Sequence, residues 1–340
     1  MDRFLKSRYK IGKKIGEGPF SFTYEGFLIG TQVPVIIKVY KRAALNSPLI
    51  NKLRPKVMRM IGIDHPLIAK ILDGDYGWQG YYFVREFIDG DDLGELLSTE
   101  AFDVDTSVNI AKRVAEALHF AHDNDVIHGA LSANNIFITR KKELKLVDFI
   151  LEGKVRSNID LLAHQTSFDS RYLSPEQIKG EEVSELSDIY SFGVVLYQLL
   201  TGTLPFNGDN NLEIAIKHLT ERPQAPSTLN PNVPEYLDEI VLKCLEKDPV
   251  MRFKRIGEIE ESLKEKALIF KGAEVDLSNL IYDDMEAIDP GISQAEEPQK
   301  KAKKPARRKP NVFMWILFFI LIAIASGLWY SFIQGLISTR

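Results

Sequence analysis

Four short stretches carry residue types suited to work on a phosphate and a hard cation. Gly16-Glu17-Gly18 sits between two strand-like runs, and Lys38 closes Val35-Ile36-Ile37-Lys38. Later come His128-Gly129-Ala130-Leu131-Ser132-Ala133-Asn134-Asn135 and Asp148-Phe149-Ile150. Glycine lets backbone amides approach an anion, an ammonium neutralises it, and amide and carboxylate oxygens are what hard cations take as ligands. Singly, each signal is weak. A G-x-G is usually a turn and a strand lysine usually a solvated edge, so their meaning depends on the elements that position them.

Period-2 alternation predicts strands over 9–15, 22–28, 33–40, 68–72 and 81–87, with one helix over 49–61. From there the chain turns helical. Val108, Ala111, Val114, Leu118 and Ala121 recur at helical spacing behind Asp105 or Thr106 as a cap. The stretch 188–200 is apolar on nearly every face and is stopped by Gly202, which predicts a central buried helix. A small antiparallel lobe (about 8–87) followed by a helical lobe (about 88–268) is an α+β arrangement with room for a shared cleft.

Charge divides the chain in two. The whole has 340 residues, 45% of them hydrophobic, and a net charge of −4. The first 299 residues hold 35 basic and 47 acidic side chains, net −12, whereas the remainder holds eight basic and no acidic ones. The acidic part lacks the clustered positive charge that nucleic acid requires. A single Cys244 excludes a disulfide framework and a zinc site of the usual ligand count, and reads as a small buried hydrophobe. No internal repeat and no apolar leader is evident in the sequence.

After about residue 269 the periodicity stops. Residues 269–310 read as a tether, acidic first and then basic, punctuated by Pro290, Gly291, Pro298, Pro305 and Pro310. From Val312 to Ile333 there follow 22 uncharged residues with Trp315 near the start and Trp329 and Tyr330 near the end. As a helix they would extend about 33 Å, enough to cross a bilayer. Lys300 to Arg308 would hold the preceding domain at the cytoplasmic face, a bacterial inner membrane being favoured, and leave a short tail over 334–340 outside.

Over residues 8–268 the motifs, in their order and on their predicted elements, resemble the protein kinase family. Tyr172-Leu173-Ser174-Pro175-Glu176-Gln177 and the stretch from Ser187 to Gly202 look closest to bacterial Ser/Thr kinases of the eukaryotic type. The resemblance implies a two-lobed kinase fold. It also implies structural roles for His128 and Phe149 in an internal hydrophobic spine, for Glu176 and Arg252 as an ion pair, and for Asp188 in holding the catalytic-loop backbone. It assigns Gly16, Gly18, Lys38, Glu86, Ile88, Asn135 and Asp148 to nucleotide, with Asn135 and Asp148 as ligands of Mg²⁺ if ATP binds.

Departures from the family pattern fall on the chemical positions. The catalytic aspartate, which orients and deprotonates the substrate hydroxyl, is replaced by Ala130, and the lysine two residues on by Ser132. Gly129 stands for the arginine beside it. The helix over 49–61 has no acid, Lys56 taking the place of the glutamate that pairs with the strand lysine. Ser21, Ile150 and Asp169 replace a third loop glycine, the D-F-G glycine and a threonine. Arg85 stands at the back of the adenine pocket, where Ile36 and Phe137 also add volume. The expectation is a membrane-anchored, catalytically impaired signalling module that regulates or scaffolds another signalling protein. Its alternatives are an active Ser/Thr protein kinase with atypical motifs and a nucleotide-independent membrane scaffold.

Overall fold

Alternating side chains on a single strand divide the first lobe into two faces. The structure is a computed structural model that describes residues 7–18, 21–41, 47–77, 80–99, 101–149 and 170–270. β1 (Tyr9–Glu17), β2 (Ser21–Leu28), β3 (Pro34–Tyr40), β4 (Ile71–Gly77) and β5 (Gly80–Glu86) form an antiparallel sheet in the order β1-β2-β3-β5-β4. Val35, Ile37 and Val39 of β3 pack with Tyr9, Tyr82 and Val84 on one face. Ile36 and Lys38 therefore point to the other face, where Ile36 pairs in register with Arg85 and Lys38 with Phe83. This alternation puts Lys38 and Arg85 on the same side of the sheet.

α1 (Ser47–Gly62) covers that side through Val57 and Met60, three residues apart and both fully buried. Its first turn has no acid to offset the helix dipole and its interior holds Pro55, which forgoes one backbone hydrogen bond. Tertiary packing holds the helix. At β4 the strand expected over 68–72 lies further along. Ile68 makes only an isolated parallel bridge to Leu146, and pairing with β5 continues through Asp73-Gly74-Asp75. Polar side chains hide this strand from a hydrophobicity pattern. A Cβ at Gly74 would stand 2.5 Å from Val57 Cγ1, so glycine lets α1 lie against the sheet.

The second lobe begins with β6 (Gly90–Asp92), α2 (Leu93–Thr99) and α3 (Val104–Asp123). Asp103 caps α3, accepting from the Thr106 amide at 2.7 Å, so the cap lies two residues before the earliest position expected from sequence. β7 (Ile136–Thr139) and β8 (Leu144–Leu146) complete a three-stranded sheet with β6. α4 (Pro175–Lys179), α5 (Glu185–Thr201), α6 (Asn211–Thr220), α7 (Glu235–Cys244) and α8 (Ile256–Phe270) follow. α5 is buried over nearly its whole circumference, opens with a Ser184/Ser187 capping box and ends at Gly202 with φ 72°. Cys244 is buried against Gly193 of α5, where burial pushes its thiol pKa up.

The membrane-spanning expectation is corrected here. Among the described residues no helix is long and apolar enough to cross a membrane. The most apolar one, α5, is 17 residues long and packs within the core. The span from Val312 to Ile333, the basic run from Lys300 to Arg308, most of the tether and the tail over 334–340 lie outside the described residues. The anchored topology, the membrane as partner and the inner-membrane location have no helix among the described residues to carry them and are set aside.

Candidate active site

Lys38 and Asp148 meet in the cleft between the lobes. Lys38 Nζ donates to Asp148 Oδ2 at 2.7 Å, with the two side chains only 10% and 15% exposed. Asp148 follows β8 by two residues and has φ 65°, a left-handed backbone that Asp tolerates better than most side chains. Because α1 offers no carboxylate, the lysine takes this one. Burial pushes the Asp148 carboxyl up, but Lys38 and Arg85 together hold its pKa below the ordinary value.

Arg85 is the second cation on the same carboxylate. Its Nε lies 3.6 Å from Asp148 Oδ1, an ion pair longer than a hydrogen bond, and the side chain is 9% exposed. Nη1 donates to the Glu86 carbonyl at 3.1 Å, and the guanidinium lies 5.9 Å from the Phe137 ring centre. Burial lowers its pKa, against the pull of Asp148 and Glu86.

The loop from His128 to Asn135 is held from several sides. Asp188 accepts from the amides of His128 and Gly129, each at 2.7 Å, and is 2.8 Å from His122 Nε2. Burial pushes the Asp188 carboxyl up, but His122, His128 and the Gly129 amide bring it below its ordinary value. Gly129 has φ 75°, which suits glycine where the family has arginine. Gln177 Nε2 donates to the Gly129 carbonyl and Asn135 Nδ2 to the Ala130 carbonyl, both at 2.8 Å. His128 packs against Phe149 with ring centres 4.4 Å apart and the ring planes tilted by 41°. The Glu176–Arg252 pair is bidentate, both bonds 2.9 Å, and Ser187 adds a hydroxyl donor at 2.7 Å. The loop is therefore shaped as a support, yet it presents a methyl group at Ala130 and a hydroxyl at Ser132.

The expected nucleotide residues divide into occupied and open positions. Glu86 has its carbonyl engaged by Arg85 and its carboxylate by the Lys70 amide and Lys145 Nζ. Ile88 packs with Ala69, Val147 and Phe137, and Ile36 is 4% exposed. Gly16 and Gly18 are not forced by the fold: an added Cβ would stand 3.5 Å from Thr23 Cβ and 3.8 Å from the Ser21 carbonyl. Ile150 and Asp169 lie outside the described residues.

A divalent cation fits these residues poorly. Asp148 has Lys38 on one oxygen and Arg85 beside the other, and Asn135 is turned to the Ala130 carbonyl. Among the described residues no three His, Cys, Asp or Glu side chains stand together as metal ligands. Sequence reasoning singled out Arg85 for its position but not for its reach to Asp148, and it missed Gln177 and His122. A histidine within the apolar periodicity of 106–122 was the only signal for the last of these.

The family described as Protein kinase domain matches residues 9–266. The chain is 29% identical over 342 residues to the serine/threonine-protein kinase PrkC of Bacillus subtilis, covering 95% of this chain and 52% of that one. It is 34% identical over 263 residues to the probable serine/threonine-protein kinase PknB of Lactococcus lactis, covering 76% and 42%. The chain thus spans about half or less of the length of these relatives. The crystal structure of the Mycobacterium tuberculosis PknI kinase domain superposes with a TM-score of 0.62 at 19% identity, over 76% of this chain and 96% of that one, a likeness of fold. These relatives carry the names of serine/threonine-protein kinases. The expectation of a membrane-anchored, impaired regulatory module is therefore set aside, and the relatives favour its kinase alternative over it. Since the match starts at β1 and closes within α8, it takes in both lobes and the cleft, and the chain belongs to the protein kinase domain family.

Proposed function

We propose that the cleft binds ATP and transfers its γ-phosphoryl group slowly to a serine or threonine hydroxyl. The observation that carries this reading is the Lys38–Asp148 pair, closed across a cleft whose catalytic loop is held in place by Asp188. In the transfer the hydroxyl oxygen forms a bond to phosphorus, the bond from phosphorus to the β,γ-bridging oxygen breaks, and ADP leaves. Lys38 and Arg85 supply countercharge to the phosphate oxygens, and the loop from Ala130 to Asn135 supports the acceptor. The hydroxyl proton passes to water, because Ala130 cannot accept it. A positioned base contributes about 10²–10⁴-fold, so its absence raises the barrier by about 3–5 kcal/mol. Family membership makes ATP with Mg²⁺ the pair to supply in the test.

One experiment tests this reading. Purified full chain is incubated with radiolabelled ATP and a generic protein acceptor, beside Asp148→Ala. Transfer that Asp148→Ala abolishes supports the kinase; no transfer above a heat-killed control, with ATP still bound, contradicts it.

A further inference from the structure

We propose that Arg85 stands in for a divalent cation at Asp148, so that a nucleoside triphosphate enters this cleft without metal. The inference rests on the nucleotide reading above and concerns how the phosphate charge is met. Among the described residues Asp148 offers the one carboxylate in direct contact with Lys38, and both of its oxygens face cations. Lys38, Arg85 and Asp148 sum to +1. A divalent ion added there would raise a buried cluster to +3, whereas a polyphosphate would meet a favourable field.

Arg85 cannot leave easily. Its guanidinium stays charged, lies behind the cleft on β5, is pinned by the Glu86 carbonyl at 3.1 Å and backs onto Phe137. Its Nε, although buried, has no hydrogen-bond acceptor of its own, which leaves one donor directed toward the Asp148 side of the cleft. Metal loading at Asp148 would strand this cation beside the ion. Phosphate oxygens would instead give the unused donor an acceptor.

The test measures ATP affinity by calorimetry on the full chain, in EDTA and in magnesium chloride, for the natural sequence and for Arg85→Met, whose unbranched side chain fills similar space. Arg85→Gln serves if Arg85→Met fails to fold by circular dichroism. The natural sequence should bind ATP with an affinity that differs by less than about threefold between the two conditions, and the variant should gain about tenfold or more from Mg²⁺. A gain of tenfold or more in the natural sequence would overturn the proposal while leaving nucleotide binding intact. So would equal affinities for a folded variant with and without Mg²⁺. Absence of ATP binding under both conditions would overturn this proposal and the nucleotide reading together. Metal-free binding without any phosphate transfer would leave the proposal standing and remove only the transferase activity.

Discussion

Lys38 Nζ lies 2.7 Å from Asp148 Oδ2, across 110 residues of sequence, and this bond joins the β-rich lobe to the segment that follows β8 in the helical lobe. Removing one member of a buried pair costs about 3–5 kcal/mol when the other charge is left uncompensated. Here Arg85 still compensates Asp148 after Lys38→Met, whereas Asp148→Asn leaves two cations facing each other. Chemical denaturation should therefore show a larger loss of stability for Asp148→Asn than for Lys38→Met. Equal losses would mean that Arg85 does not share the charge.

The Glu176–Arg252 pair is more completely enclosed, with side chains 5% and 0% exposed. Burial pushes the Glu176 carboxyl up, but Arg252 and the Ser187 hydroxyl hold its pKa below the ordinary value. Arg252→Ala strands that carboxylate, and the expected loss in unfolding free energy is about 3–5 kcal/mol. A loss below about 1 kcal/mol, the level of an exposed pair, would show that water reaches the site.

Restoring a carboxylate should restore rate. Ala130 follows His128 and Gly129 on a loop whose backbone is already fixed, its own amide donating to His128 Nδ1 at 3.3 Å. Ala130→Asp is expected to raise phosphate transfer by about 10²-fold or more with little change in ATP affinity. A variant that binds ATP but transfers no faster would place the limiting defect elsewhere, at Ser132 or in the pocket narrowed by Ile36 and Phe137.

His128 gives the fold a pH dependence of defined sign. The ring is fully buried, with Nε2 3.1 Å from the Val147 carbonyl and Nδ1 accepting from Ala130, an arrangement for the neutral imidazole. Burial lowers its pKa to about 4. Unfolded histidine titrates near 6.5, so the unfolded state takes up the proton first as pH falls. The His128 contribution is fully present above about pH 6.5 and is lost progressively down to about pH 4, at up to ~1.4 kcal/mol per pH unit. Asp148 contributes with the same sign but in a lower window, below the ordinary carboxylate pKa. Denaturation midpoints measured across pH 4–7 should flatten in His128→Phe; an unchanged slope would assign the dependence to other groups.

The strands that alternate and the helices that bury one face were readable before the structure. β3 and α5 lie close to where periodicity puts them, because Val35, Ile37, Val39 and the apolar circumference of α5 are driven inward by burial alone. β4 was misplaced because its pairing is a backbone property that Asp73, Gly74 and Asp75 do not advertise. The α3 cap was misplaced because three candidate oxygens lie within four residues and only backbone geometry selects Asp103. In the site, residue types named the groups but not their partners. The helix without an acid told that Lys38 would lack its usual glutamate; the lone arginine on β5 did not tell that it would reach Asp148, a long-range contact fixed by how the lobes close. The apolar run beyond residue 311 was a hydropathy reading, to which the described residues add no spanning helix.

Phosphate transfer by the full chain tests the central claim most directly. Incubation with radiolabelled ATP and a protein acceptor, in parallel with Asp148→Ala and a heat-killed control, should yield slow incorporation into serine or threonine that the substitution abolishes. Incorporation no greater than in the heat-killed control, from protein shown to bind ATP, would contradict it.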